Sequence, residues 1–282
     1  MANKSKRVKI GNETLTIINA GGYKVNTDDI LIKEQIEQSI SKSQVYKGED
    51  ILDLEITTRS PKSPQVLEVT QECAISACRR IRAEDGKSHI GCLNFASAKN
   101  VCGGMLKGSL AQEESLGYCT TLYPTLDRFQ AEYYETNRRD PKQGLYNDIL
   151  IVSPDVMVIR DDSTYELLSD PFPVTFLSSP AVNKGHALTF KDVPETLIQS
   201  TMERRIESVL KLAIYYEIDS LVLGAWGCGV FKNEPIEIAR MFSKYLCDEG
   251  SPFLNRFSKV VFAIGSDKAK LVVFKKAMMV KS

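Results

Sequence analysis

Two adjacent glycines and two adjacent glutamates lie within one short stretch of this 282-residue chain. Gly103 and Gly104 remove two side chains from a predicted loop, so its backbone N–H groups could approach an anionic ligand closely. Glu113 and Glu114 follow Gln112, and a carboxyl group at such a place can exchange a proton with a reacting bond. The pattern predicts a site where backbone holds a phosphate and a carboxylate acts beside it.

The spacing of Ser109 and Gln112 fits a capping box and predicts a helix that begins at Leu110. The start of such a helix would favour a nearby phosphate. Neighbouring helical side chains point about 100° apart, so Glu113 and Glu114 are expected to divide the work, one positioning and one exchanging a proton. Alternatively, both only complement the helix dipole. Burial and a like charge raise a carboxyl pKa while the helix start lowers it, and the sequence leaves that balance open.

A second glycine-rich loop lies between a predicted strand and a predicted helix. Gly227 and Gly229 supply the first two positions of a dinucleotide fingerprint, but Lys232 occupies the third, which argues against a Rossmann site. Two glycines before a helix still predict a shorter anion-binding turn. Phe231 fits either a ligand contact or the core. Cys228 has no histidine near it in the sequence and is predicted to be a buried structural thiol.

Strands and helices alternate through the second half of the chain. Strands are predicted within 51–58, 89–96, 173–182, 219–231 and 257–266, two short strands within 148–161, and helices within 29–46, 63–86, 195–218 and 233–250. The alternation predicts an α/β fold whose partly parallel sheet is covered by helices on both faces. Ligands bind outside the carboxyl ends of strands in such folds, and both glycine-rich loops follow strands in this way.

The composition excludes several classes of protein. The 36 Lys and Arg residues balance the 36 Asp and Glu residues, which argues against bulk electrostatic binding of nucleic acid. Seven cysteines without a C-x-x-C motif predict reduced thiols in the cytoplasm, and with only His89 and His186 present no metal site is expected. The basic start lacks an apolar signal stretch, and no run is long enough to predict a membrane span.

Taken together, the two loops resemble the signature of microbial-type poly(ADP-ribose) glycohydrolases, a family with a macrodomain core. The resemblance rests on four stretches that occur in the family's order: LNFASAKNVCGGMLKGSLAQEESL, LYPTL, LYNDILIVSPDVMVIRDD and LGAWGCGVFKNEP. It implies one three-layer α/β/α macrodomain over residues 1–282 with a mixed sheet. Residues 1–50 are then expected to form a helical N-terminal extension packed on this domain.

The resemblance also implies a reaction and the residues that perform it. The expected reaction is hydrolysis of the O-glycosidic ribose–ribose bond in poly(ADP-ribose), which releases ADP-ribose without a cofactor. Glu114 resembles the catalytic acid/base, and Glu113 resembles the neighbour that holds the ribose hydroxyls. Gly103 and Gly104 lie in the loop that wraps the ribose and pyrophosphate. The remaining substrate-binding residues implied by the resemblance are Asn94, Gln112, Gly227, Cys228, Gly229, Val230 and Phe231, with Phe231 orienting the terminal ribose.

One residue departs from the family pattern. Cys102 stands where the first glycine of a triplet is expected; it would be strained if this position needs a positive φ, and it would narrow the cleft if its side chain faced the ligand. This departure motivates an alternative, removal of a single ADP-ribose from a protein or nucleic acid. A third hypothesis is a module that binds ADP-ribose without cutting, although both glutamates are present. An unrelated nucleotide-binding α/β protein is the fourth. The sequence does not predict an oligomeric state.

Overall fold

The computed structural model describes residues 3–55, 64–139, 144–191 and 193–278. Its strands are β1 (Gly22–Val25), β2 (Asp28–Leu31), β3 (Gln44–Lys47), β4 (Val66–Thr70), β5 (Ile90–Phe95), β6 (Ile149–Arg160), β7 (Leu167–Ser179), β8 (Ser220–Leu223) and β9 (Lys259–Ala263). Its α-helices are α1 (Lys4–Ala20), α2 (Lys33–Lys42), α3 (Gly48–Leu52), α4 (Ala74–Glu84), α5 (Gln112–Cys119), α6 (Leu122–Asp127), α7 (Thr136–Arg139), α8 (Lys184–Ala187), α9 (Glu195–Tyr215), α10 (Pro235–Cys247) and α11 (Lys268–Met278).

Seven strands form one mixed sheet in the order β3-β6-β7-β5-β8-β9-β4. β7, β5, β8, β9 and β4 run parallel, while β6 runs antiparallel to both β7 and β3. Side chains alternate between the two faces, so that Cys92 joins the core under α4 and α5 whereas Leu93 joins the core under α9 and α10. The predicted three-layer α/β/α architecture is therefore confirmed.

The two glycine-rich loops emerge side by side. β5 and β8 are hydrogen-bonded parallel neighbours, with Cys92 opposite Val222. Their carboxyl ends therefore lie at the same edge of the sheet, where open α/β sheets bind ligands. The loop after β5 leads into α5, and the loop after β8 leads into α10.

The N-terminal segment contributes strands as well as helices. β1 and β2 form a hairpin, and β3 is an edge strand of the main sheet. α1 lies against α5 and against the 3-10 turn Met105–Lys107. A separate apolar cluster joins these elements to β6 through residues such as Ile17, Ile36 and Ile159.

Several predicted elements have different bounds. The helix predicted within 63–86 is wrong in its first half, because Val66–Thr70 pairs in parallel with β9 and only Ala74–Glu84 is helical. The strand predicted within 51–58 is wrong at its start, where α3 ends at Leu52, and 56–58 lie outside the described residues.

The two short strands predicted within 148–161 are a single strand, β6, with an irregular register between Ser153 and Val156. The segment 29–46, predicted as helical, contains α2 flanked by parts of β2 and β3. The strands predicted within 89–96, 173–182, 219–231 and 257–266, and the helices predicted within 195–218 and 233–250, are confirmed. Within the described ranges, no helix has the length and apolar character that crossing a membrane requires.

Candidate active site

Helix α5 carries both glutamates and begins at Gln112, so the predicted start at Leu110 is wrong. The side chain of Glu114, in the first turn, caps the helix: its Oε2 accepts from the backbone N–H of the N-cap residue Ala111 at 2.9 Å. Ser109 does not act as the N-cap; its carbonyl accepts from the Tyr118 hydroxyl at 2.8 Å. The helix therefore begins two residues later than predicted, with the Glu114 side chain bound to the backbone N–H of the N-cap residue Ala111.

Gln112 anchors the start of α5 to the end of β5. Its Oε1 accepts from Phe95 N at 2.9 Å, and its Nε2 donates to Leu93 O at 2.7 Å. Both ends of the amide thus bind the main chain of the strand. A substrate contact by Gln112 stays a prediction, but its structural work is to fix the two following glutamates relative to the sheet.

Glu113 is buried against the sheet, with 3% of its surface exposed. Ser97 N donates to its Oε2 at 2.7 Å, and Asn94 Nδ2 donates to its Oε1 at 3.3 Å. Burial raises the pKa of this carboxyl well above its usual range, and the neighbouring Glu114 adds to the effect while the two hydrogen bonds oppose it. For Glu113, burial decides the balance that the sequence left open, and the neutral form is favoured.

Glu114 has other partners, further along the loop. Gly104 N donates to its Oε1 at 2.9 Å, and Ala111 N donates to its Oε2. The two adjacent glutamates thus have separate partners, with Glu113 bound by Asn94 in β5 and Ser97 just after it, and Glu114 bound by Gly104 and Ala111. This geometry fits two carboxyl groups with different tasks.

The glycines of the first loop are required by these carboxylates. Gly103 has φ +56°, and a Cβ at this position would lie 2.5 Å from Glu114 Oε1 and 3.1 Å from Glu113 Oε2. A Cβ at Gly104 would lie 2.3 Å from Ser109 Oγ. The N–H of Gly103 donates to Asn100 O, and that of Gly104 donates to Glu114. These two N–H groups therefore shape the pocket of the acid rather than present themselves to a phosphate.

The second loop is closed by a buried asparagine. Gly227 has φ +72°, and a Cβ there would lie 2.4 Å from Asn233 Nδ2 and 2.6 Å from Ala181 Cβ. Asn233 Nδ2 donates to Val182 O at 2.8 Å and to Gly227 O at 3.2 Å. The helix α10 begins with Pro235 after Glu234 as the N-cap, so Asn233 ties the loop together instead of capping the helix.

The outer part of the second loop is open. A Cβ at Gly229 would meet no atom within 4 Å, and Val230 is 83% exposed. Phe231 is half-buried, with its ring centroid 6.1 Å from that of Tyr146. Cys228 is buried, and burial raises the pKa of its thiol to about 12, as a structural thiol requires.

Comparison with known proteins decides the family. A model of the catalytic domain of microbial-type poly(ADP-ribose) glycohydrolase (PARG) matches residues 11–161, more than half of the chain. The chain belongs to this family. The resemblance seen in the two loops and the predicted enzyme class, a glycosidase-type hydrolase, are thereby confirmed.

Solved PARG structures are similar over nearly the whole chain. PARG from Thermomonospora curvata is 36% identical with a TM-score of 0.89, over 97% of this chain and 99% of that one. The same enzyme bound to the inhibitor ADP-HPD gives 35% identity and a TM-score of 0.87, over 96% of this chain and 99% of that one. PARG from Deinococcus radiodurans in complex with ADP-ribose gives 36% identity and a TM-score of 0.75, over 86% of this chain and 96% of that one. A search among curated proteins found no match.

Cys102 has a left-handed backbone and a buried side chain. Its φ is +48°, so the condition under which the sequence predicts strain is met, and its side chain is completely buried. A Cβ built at Gly117 would lie 3.2 Å from Cys102 Sγ and 2.8 Å from Met105 Sδ. The thiol therefore packs behind the loop against α5, so the condition under which it would narrow the cleft is not met.

Arg205 and Tyr146 lie next to the second loop but were not predicted from the sequence. Arg205 is completely buried in α9, pairs with Asp148 at 2.8 Å, and donates to Pro180 O at 2.9 Å and Tyr146 O at 3.0 Å. It therefore holds Tyr146, with φ +62°, beside Phe231. The sequence pattern that could have indicated a buried arginine is the position of Arg205 on the same helical face as apolar residues such as Met202.

Among the described residues, no group of three or more His, Cys, Asp or Glu side chains could hold a metal ion. All seven cysteines are free. The chemistry available at this edge of the sheet is thus that of two carboxyl groups and exposed backbone N–H groups.

Proposed function

We propose that this PARG-family chain hydrolyses the O-glycosidic ribose–ribose bond of poly(ADP-ribose) and releases ADP-ribose, with Glu114 as the acid/base. The observation that supports the proposal is that the two adjacent glutamates, near the carboxyl end of β5, have different hydrogen-bond partners. Ser97 N donates to Glu113, whereas Gly104 N and Ala111 N donate to Glu114. The solved complexes of similar PARGs with ADP-ribose and with ADP-HPD support the choice of substrate class.

In the proposed reaction, the carboxyl group of Glu114 gives its proton to the departing ribose oxygen as the C1–O bond breaks. The terminal ribose passes through an oxocarbenium-like state. A water oxygen then bonds to C1, and the carboxylate of Glu114 takes up the water proton. The products are free ADP-ribose and a polymer shortened by one unit, with Glu114 again protonated.

Glu113 is proposed to bind the hydroxyls of the terminal ribose. Both oxygens of this carboxyl group have lone pairs that can accept hydrogen bonds from a pair of hydroxyl groups. Asn94 and Ser97 keep it in place. Alignment of the scissile bond beside Glu114 is the expected benefit.

The diphosphate is proposed to lie on the second loop. Within the part of the chain that the structure describes, the N–H groups of Gly229 and Val230 have no protein acceptor. Cys228 N and Lys232 N, by contrast, already donate to loop carbonyls. Phe231, held beside Tyr146, is proposed to pack on the terminal ribose.

The first test compares the parent and Glu114→Gln on poly(ADP-ribose), with released ADP-ribose measured by chromatography. We expect the rate to fall by roughly 10²- to 10⁴-fold, the usual contribution of a general acid/base. Binding of ADP-ribose to the variant, measured by calorimetry, controls for an intact pocket. Normal turnover by Glu114→Gln would contradict the role of Glu114. No release by the parent, with ADP-ribose binding intact, would contradict the polymer reaction and favour mono-ADP-ribosylated substrates or a binding module.

The alternative of a mono-ADP-ribosyl hydrolase loses the observation that motivated it, since the Cys102 thiol packs into the core.

We also propose a cytoplasmic location and a single domain over residues 1–282. Seven free cysteines fit a reducing compartment. ADP-ribosylated macromolecules are the proposed partners.

A further inference from the structure

The loop that binds Glu114 leads to a charged surface of the protein, and this step rests on the function proposed above. Glu114, which is proposed to protonate the departing oxygen, is bound by Gly104 and Ala111. The loop 104–111 therefore lies beside the carboxyl group at which the polymer is proposed to depart.

This loop leads directly to the start of α1. Lys107 N and Ser109 N both donate to Gly104 O, so the segment from Gly104 to Ser109 is a compact turn. Arg7 Nε donates to Gly108 O at 2.9 Å, and a Cβ at Gly108 would lie 3.0 Å from Lys4 Cγ. Lys4 and Arg7 thus lie beside Gly108, which belongs to the same compact turn as Gly104, the residue that binds Glu114.

The surface formed here, the departing-chain surface, consists of Lys4, Arg7, Leu106, Lys107 and Leu110. Lys4 and Lys107 are exposed and have no ion pair within the described residues. Leu106 and Leu110 are 41% and 45% exposed. Cations and exposed apolar side chains therefore lie next to each other on this surface.

The stability of α1 does not explain its cations. Its first turn contains no acidic residue, and Lys4 and Arg7 stand at the positive end of the helix dipole, where cations are unfavourable. The chain as a whole is neutral, so this cluster is a local feature rather than a consequence of bulk charge. A polymer of ADP-ribose offers the matching chemistry, because each unit carries a negatively charged diphosphate and an apolar adenine face.

We propose that the departing-chain surface binds the second ADP-ribose unit of the polymer, with Lys4 and Lys107 on its diphosphate and Leu106 and Leu110 on its base, while Arg7 supports the loop. The surface lies outside the pocket of the terminal unit. It therefore raises the affinity for polymer without contributing to binding of free ADP-ribose.

The experiment compares K4E/K107E with the charge-matched control K275E/K276E at the far end of α11. Arg7 is kept because it supports the loop through Gly108. Kinetics are measured on poly(ADP-ribose) and on an ADP-ribose glycoside with a small neutral aryl leaving group, and ADP-ribose binding is measured by calorimetry. A glutamate at the first position of α1 complements the helix dipole, so K4E is expected to fold, which thermal melts check.

We expect kcat/KM of K4E/K107E for the polymer at low salt to fall about fivefold or more relative to the control, through KM. The dependence of log kcat/KM on log salt should weaken by about 1.4, since each lost phosphate contact on a single strand contributes about 0.7. The aryl substrate and ADP-ribose should show no change. The variant L106S/L110S should raise the polymer KM without changing the salt dependence.

Equal polymer kinetics of K4E/K107E and the control would overturn the inference while leaving the proposed function intact. Loss of activity on the aryl substrate as well would also overturn it, since the cations would then act on the terminal unit. Hydrolysis of neither substrate by the parent protein would instead count against the proposed function.

Discussion

The two glycine-rich loops look alike in sequence but differ in what their glycines contact. In the first loop, a Cβ at Gly103 would lie 2.5 Å from the carboxylate of Glu114. In the second loop, a Cβ at Gly229 would meet nothing within 4 Å. The first loop is therefore packed on the acid that it positions, whereas the outer second loop leaves a space that a ligand can occupy.

This difference separates two reasons for a glycine at a site. Gly103 is needed by the protein itself, both for its positive φ and for the close approach to Glu114. No described residue lies close enough to Gly229 to require a glycine there, so a benefit of its small size to ligand binding remains a prediction. Substitutions in the first loop should consequently act on kcat, and substitutions at Gly229 should act on KM.

The largest effect is expected for Gly103→Ala. The added methyl group must displace the carboxylate of Glu114, and a misplacement of this kind costs about 100-fold in kcat. The left-handed backbone adds a destabilisation of about 1–2 kcal/mol. Steady-state kinetics on poly(ADP-ribose) and chemical denaturation measure the two effects.

Gly250→Ala is the matched control for Gly103→Ala. Gly250 also has a positive φ of +88°, but a Cβ there meets no atom within 4 Å. It should show the backbone destabilisation with normal kcat. If the kcat of Gly103→Ala equals that of Gly250→Ala and of the parent protein, the contact between Gly103 and Glu114 is not important for catalysis.

Gly229→Ala should have a smaller and different effect. Its φ is not in the left-handed region, and its surroundings are open, so the melting temperature should not change. If the diphosphate lies against this backbone, the methyl group should raise KM about tenfold, or 1.4 kcal/mol, with kcat retained. An unchanged KM and an unchanged affinity for ADP-ribose would show that the ligand does not approach Gly229.

Glu113→Gln should make stability less dependent on pH. Burial raises the folded-state pKa of Glu113 above its unfolded value of about 4.3, so its contribution to stability is present below that pH and is lost as pH rises through the folded-state pKa. Glutamine cannot ionise. The melting temperature of the variant relative to the parent should therefore rise between pH 4 and pH 8. A difference that is constant with pH would argue against a raised pKa at Glu113.

The sequence predicted most of the fold where local pattern and tertiary packing agree. β5, β8, α9 and α10 follow their apolar periodicity, and the order of strand, glycines and helix placed both loops correctly. The segment 63–86 failed because Val66–Thr70 gains a parallel partner in β9, which no local signal reveals.

The active site was predicted in composition but not in its connections. Gln112 and Glu114 were singled out, yet the bonds of Gln112 to the backbone of β5, which fix α5 on the sheet, depend on the folded arrangement. Arg205 was missed because a buried arginine is unfavourable unless Asp148 and several carbonyls surround it. Such partners come from distant parts of the chain.

The smallest effects concern Cys102, which fits against Gly117 on the helix of the glutamates. Gly117 lies four residues after Glu113 and three after Glu114, so the thiol packs one helical turn below both carboxyl groups. Cys102→Gly removes the strain of the left-handed backbone but also removes the packed thiol. These effects oppose each other, so we expect a net change in stability within about 1 kcal/mol.

The pair can be tested by a double-mutant cycle. In the parent, the methyl group of Gly117→Ala would meet Cys102 at 3.1 Å and Met105 at 2.8 Å, and should destabilise the protein. After Cys102→Gly, the methyl group fills the space of the thiol, and only the flexible Met105 side chain must move. We expect a favourable coupling of about 1 kcal/mol between the two substitutions, measured by chemical denaturation. If the changes in the free energy of unfolding are additive, the contact between the Cys102 thiol and Gly117 does not contribute to the packing of the loop on α5.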